Sequence, residues 1–278
     1  MHLGVTSVFN VRNQSLGLSV EEMSARLKVS TVGRGKPLVF LHGWGVNSGI
    51  WQPLINIIKD EFCITTIDLP GYGLNHQQLP TPYNLQNVAT TVSPHIPENC
   101  ILIGWSLGGL VAQCIATTHP EKLKQLVLIC SSPKFSKSVD WPGIEPKVLD
   151  FFIQQLELDF SKTLERFLAI QAMGSANARQ DAKIIKQAVQ QYPHPSPVAL
   201  AGGLDMLKKI DLRDQFKTLS IPCHMFLGRL DTLVPDKLAL PAQQLNANVT
   251  IDIISYASHA PFISNTEQFA KRLVQVLI

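Results

Sequence analysis

The chain has 278 residues, 45% of them hydrophobic and only 16% charged, which is enough apolar content to bury one large α/β core. A net charge of +3 without a Lys/Arg run argues against a nucleic-acid partner held by a basic surface. The five cysteines (Cys63, Cys100, Cys114, Cys130, Cys223) are odd in number and lack a C-x-x-C pair, so they read as buried thiols in a reducing cytoplasm rather than as a disulfide or zinc framework.

Residues 1–25 have no strong period, and residues 1–14 lack the basic, apolar and cleavage segments of a secretory signal. No apolar run approaches the roughly 20 residues that span a bilayer, which predicts a soluble, cytoplasmic protein. Residues 26–32 alternate as a first strand would. A turn at 33–37 precedes Leu38-Val39-Phe40-Leu41, a buried-strand run that delivers His42-Gly43-Trp44-Gly45 to a loop. Asn47 or Ser48 then caps a helix to about residue 60, with Ile50, Leu54, Ile57 and Ile58 on its apolar face.

A third strand at 62–67 closes into Asp68-Leu69-Pro70-Gly71-Tyr72-Gly73, whose proline and glycines demand a loop. A helix at 84–95, a strand at 100–103, an apolar helix from 107 and a strand at 126–130 follow. Strands alternating with helices at this spacing predict a mostly parallel sheet covered on both faces. From 132 to about 197 the strand signal disappears, and Val148/Leu149/Phe152/Ile153/Leu156, Leu164/Phe167/Leu168/Ile170 and Ile184/Ile185/Val189 recur at helical spacing. The pattern then resumes with a strand at 224–228, a helix near 237–245, a strand at 249–254 and a terminal helix. The organisation predicted is a core of 1–132 and 200–278, interrupted by a helical lid at 133–199 over the carboxyl edge of the sheet.

Gly104-Trp105-Ser106-Leu107-Gly108-Gly109 joins a short buried strand to an apolar helix, the setting of a nucleophile elbow. The turn is so sharp that side chains two residues either side of the serine would strike neighbouring backbone, so Gly104 and Gly108 belong there. Ser106 is the candidate nucleophile; its hydroxyl needs an imidazole to take the proton and a carboxylate to orient the imidazole. His259 lies in a loop beyond the last strand, placed to reach the elbow from the carboxyl edge. Asp231, in the loop after the strand ending at Gly228, is the acid; Asp236 is its rival on that loop, and Asp252 suits a solvent-facing strand position. Attack creates an oxyanion that needs donors placed in advance. The Leu107 N–H is one, and the Trp44 N–H is the candidate for the second, with the Trp44 indole walling the acyl pocket.

These motifs, with Ser, Asp and His in that order, resemble the α/β-hydrolase superfamily over nearly the whole chain. The lid narrows the resemblance. Trp141-Pro142-Gly143-Ile144, Glu165-Arg166-Phe167-Leu168-Ala169 with Met173-Gly174, Ala178-Arg179-Gln180-Asp181-Ala182 and His259-Ala260-Pro261-Phe262-Ile263-Ser264 are similar to the pimeloyl-acyl-carrier-protein methyl ester carboxylesterases of biotin synthesis. That resemblance implies an α/β-hydrolase fold that cleaves a methyl ester from pimeloyl on acyl carrier protein, releasing methanol, with no cofactor and no metal. It also implies that Phe167, Leu168, Ala169, Ile170 and Gln171 line the acyl channel beside Trp44, Ser106, Leu107 and His259, and that Lys162, Arg166, Arg179 and Lys183 face the acidic carrier. The spacings 162/166 and 179/183 put each cation pair on one helix face. The expected protein is a monomer whose partner is the carrier, with no nucleic acid or membrane. A general short-chain esterase or carbon–carbon bond hydrolase with the same triad, and a ligand receptor on the same fold, are the alternatives.

Overall fold

Aliphatic runs too short to make helices build the centre of the molecule. In the computed structural model, which describes residues 26–277, the strands are β1 (Val29–Gly33), β2 (Lys36–Leu41), β3 (Phe62–Ile67), β4 (Cys100–Trp105), β5 (Leu123–Ile129), β6 (Cys223–Gly228) and β7 (Val249–Ile254). The aperiodic reading of 1–25 lies outside the described residues. The strands lie in the order β1-β3-β2-β4-β5-β6-β7. β1 runs antiparallel to β3 at one edge, and every other pair is parallel. β4 is buried along its whole length, as a strand covered on both faces must be.

The helices are α1 (Gln52–Ile58), α2 (Leu85–Val92), α3 (Leu107–Thr118), α4 (Pro146–Leu158), α5 (Phe160–Ala172), α6 (Ala178–Gln190), α7 (Pro197–Lys209), α8 (Arg213–Lys217), α9 (Ala239–Leu245), α10 (Pro261–Ser264) and α11 (Thr266–Leu277). The connection from β2 to β3 moves one way along the sheet, and those after β3, β4, β5 and β6 move the other way. Right-handed crossovers therefore put α1 on one face and α2, α3 and α9 on the opposite face. Accordingly α11 packs on α1, and α3 packs on α2 and α8. None of the helices among the described residues is long and apolar enough to cross a membrane.

Three expectations change. The helix expected from 47 to 60 is two pieces, a 3₁₀ turn over Ser48–Trp51 capped by Asn47 and then α1. Pro53 has no N–H for the Gly49 carbonyl, so the Gln52 N–H takes it in the tighter bond. Ile57 is 45% exposed, and Ile55 is buried in its place. At about 100° per residue, Trp51, Leu54, Ile55 and Ile58 share one arc that leaves residue 57 outside. Second, the helix expected at 84–95 ends at Val92 and continues as a 3₁₀ turn through Pro94. Third, the sequence reading contains no helix at 197–209, and its lid boundary at 199 falls inside the first turn of α7. Gly202 and Gly203 disguise that helix. A Cβ on Gly202 would stand 2.4 Å from the Tyr83 ring and one on Gly203 2.6 Å from the Trp44 ring, so the pair permits close approach instead of ending the helix.

Candidate active site

Leu41 at the end of β2 pairs with Gly104 near the end of β4, so the 42–45 loop and the elbow leave neighbouring strands at the same edge. Connections part in opposite directions there, which opens a crevice beyond the carboxyl ends. Ser106 caps α3 with φ 53° and ψ −121°, a left-handed conformation costly for any residue but glycine. Its neighbours permit it: a Cβ on Gly104 would lie 2.6 Å from the Gly108 carbonyl, and one on Gly108 would lie 2.4 Å from the His42 carbonyl.

The structure brings Ser106, His259 and Asp231 together. His259 Nε2 is 2.9 Å from Ser106 Oγ, and its Nδ1 is 2.8 Å from Asp231 Oδ2. A carboxylate only accepts, so Nδ1 carries the proton and Nε2 is left to accept from the serine hydroxyl. The other carboxylate oxygen of Asp231 accepts the N–H groups of Leu233 (2.8 Å) and Val234 (3.0 Å), which locks the side chain. Asp236 instead pairs with Arg229 at 3.5 Å, and Asp252 with Arg272 at 2.5 Å. Ser106 is 3% exposed and His259 1%, so the reacting atoms lie beneath the protein surface.

Leu107 is the first residue of α3, where backbone N–H groups have no intrahelical partner. Trp44 stands across the crevice on a loop drawn close by Gly43, whose added Cβ would lie 3.1 Å from Ser106 Cβ. The Trp44 indole is buried, donates to the Leu200 carbonyl of α7 at 2.8 Å and meets Phe167 of α5 edge-on at 4.5 Å. Of the five consecutive lid residues, Phe167, Leu168 and Gln171 are buried and Ile170 half-buried, whereas Ala169 is exposed on the outer face. Five successive helical residues cover more than one full turn, so they cannot all line one channel. Gln171 Nε2 reaches the Trp44 carbonyl at 3.4 Å, and the Gln171 carbonyl accepts from Ser258 Oγ at 3.2 Å.

Lys162, Arg166, Arg179 and Lys183 are exposed on α5 and α6, which pack side by side. Among the described residues none of the four is in an ion pair; Arg166 reaches only Gln155 Oε1, at 3.3 Å, while neighbouring Lys186 pairs with Glu165 at 2.7 Å. One cluster of potential metal ligands appears among the described residues: Cys130, Asp231 and His259, with ligand atoms within 4.8 Å of one another. Two of the three already share the bond that orients the imidazole.

Residues 36–266 match the family model described as the α/β hydrolase fold. A relative from Pseudoalteromonas atlantica, named pimeloyl-(acyl-carrier protein) methyl ester esterase, is 52% identical over 254 residues, 91% of this chain and 98% of its own. One of the same name from Vibrio cholerae is 43% identical, again covering 91% and 98%. The chain belongs to this α/β-hydrolase esterase family. Solved structures agree on the fold: an esterase from Exiguobacterium antarcticum superposes with TM-score 0.80 at 22% identity, covering 90% of this chain and 94% of its own. A hydrolase from Oleispira antarctica gives 0.82 at 18%, covering 92% and 96%.

Two residues of this esterase-family site escape the sequence reading. Trp105 Nε1 donates to the His259 carbonyl at 2.7 Å, so the residue before the serine also anchors the histidine loop. His42 is fully buried; its Nε2 accepts from the Leu69 N–H at 2.9 Å and its Nδ1 donates to the Gly43 carbonyl at 2.8 Å. It ties the Trp44 loop to the loop after β3, and burial holds its pKa below the usual histidine value. A histidine between a buried strand and a glycine-rich loop is the signal that could have found it.

Proposed function

We propose that this chain is a serine carboxylesterase that hydrolyses the methyl ester of pimeloyl carried on an acyl carrier protein, giving methanol and the free acid on the carrier, a step in biotin formation. One observation carries the reading: His259 bonds at once to Ser106 Oγ and Asp231 Oδ2, in a chain 52% identical to a relative of that name.

In this reading Ser106 Oγ attacks the ester carbonyl while His259 Nε2 takes its proton, and Asp231 stabilises the imidazolium that forms. The oxyanion is held by the N–H groups of Leu107 and Trp44. Collapse expels methoxide, which leaves as methanol with the proton from His259. Water, deprotonated by the same imidazole, then attacks the acyl-serine and releases the acid. Phe167, Leu168 and Gln171 hold the acyl chain against Trp44, and Lys162, Arg166, Arg179 and Lys183 receive the acidic carrier.

The test is methanol release from the carrier-bound methyl ester. Ser106→Ala or His259→Ala lowers kcat by several orders of magnitude, on the order of 10⁶ in the best-studied triads. If Ser106→Ala kept more than about a tenth of the turnover, a loss below about 1.4 kcal/mol, the nucleophile assignment would fall. Equal kcat/KM on the carrier-bound ester and on a simple aryl ester would reduce the reading to a general esterase.

A further inference from the structure

Ser131 lies two residues beyond β5 and is wholly buried. Its hydroxyl donates to the backbone carbonyl of Ser106 at 2.8 Å. The same carbonyl accepts the Gly109 N–H at 2.9 Å, while the Ser106 N–H donates to the Ile129 carbonyl at 3.1 Å. The end of β5 therefore grips the nucleophile residue on both sides of its α-carbon.

That carbonyl belongs to the peptide unit whose nitrogen is Leu107. A trans peptide is planar, with C=O and N–H pointing in opposite directions, so whatever fixes the oxygen also fixes where the Leu107 N–H points. The backbone of Ser106, at φ 53° and ψ −121°, does not hold this plane by its own preference. The geometry points to Ser131 as a positioning residue that aims the oxyanion donor, an inference that rests on the esterase reading above. Ser131 acts entirely through the Ser106–Leu107 peptide. The fit is close: a Cβ on Gly109 would lie 2.2 Å from Ser131 Oγ, so the hydroxyl sits directly against the first turn of α3.

Removing the hydroxyl leaves no orphaned acceptor, because the Ser106 carbonyl keeps the Gly109 N–H. The first turn of α3 persists and the peptide is freer to rotate. In Ser131→Ala kcat falls about tenfold, less than the 10²–10³ for deleting a donor outright, while KM stays within about twofold. A trifluoromethyl ketone supplies the second readout. Ser106 Oγ adds to its carbonyl, the proton passes to His259, and the hemiketal oxyanion occupies the donor site, so its Ki rises by the factor by which kcat/KM falls.

Ser132→Ala is the control. That hydroxyl bonds the Lys134 carbonyl and Trp141 Nε1, away from the elbow, and its loss leaves kcat and Ki unchanged. Ser131→Cys, with a weaker donor of similar size, gives an intermediate loss. The inference is overturned if folded Ser131→Ala keeps kcat within about twofold, if kcat falls without a matching rise in Ki, or if Ser132→Ala loses as much. Ser106→Ala separates the two readings: if it abolishes turnover while Ser131→Ala behaves as wild type, only the role of Ser131 fails; if it leaves turnover intact, the esterase reading fails first.

Discussion

His42 is wholly buried on the loop after β2, with Asp68 3.9 Å from its Nε2, and burial outweighs the attraction of that carboxylate. Burial favours its neutral form, so its pKa in the folded chain lies below the ordinary 6.5. The unfolded chain then binds more protons in the window beneath 6.5, and stability is full above that value and falls as pH drops through it. His95 and His224 are shifted the same way by burial. Urea midpoints at pH 7.5 and 5.5 should drop more for wild type than for His42→Gln, in which one of the three linked protons is gone. A second prediction concerns the acid. Asp231→Asn puts an amide donor or a weaker acceptor opposite Nδ1 and favours the wrong tautomer, costing about 10⁴ in kcat. Asp236→Asn, whose partner is Arg229, should leave kcat within about twofold of wild type; comparable losses in the two variants would mean that the loop, and not the Asp231 carboxylate, matters.

At the scale of elements, α5 and α6 present four cations with no ion-pair partner among the described residues. Rim charges act on encounter rate and are screened as the Debye length falls from about 10 Å at 0.1 M salt to about 3 Å at 1 M. kcat/KM for a carrier-bound ester should fall with salt and with the fourfold reversal K162E/R166E/R179E/K183E, whereas a small ester should respond to neither. Equal losses on both substrates would mean lid damage. The elements themselves were unequally legible in the sequence. β4 and the elbow stand out because a strand buried on both faces is an unbroken aliphatic run and because Gly104 and Gly108 have no substitute. The continuity of helix 47–60 was hidden by Pro53, and α7 by two glycines that serve packing. Ala169 shows the limit of carrying over a consecutive segment: five successive helical residues sweep more than a full turn, so at least one of them faces away from any channel.

For the whole molecule the thiols give a simple check. Burial pushes Cys100 up to about 12 and Cys114 up to about 11, and raises Cys130 and Cys223 as well. Only Cys63 among the five is not buried. Iodoacetamide at pH 8 should therefore add one label to the native protein, at Cys63, and five after denaturation; a second native adduct would show that the core opens. The burial of Ser106 has a different consequence. A substrate that enters only an open form meets that form at its fractional population, so a lid open one part in about a hundred weakens every ester about a hundredfold alike. Such a gate taxes all substrates equally and by itself discriminates none. Selectivity arises only for a partner that binds the open form better than the closed one, and under the function proposed above a carrier docked on α5 and α6 would hold the door for its own cargo.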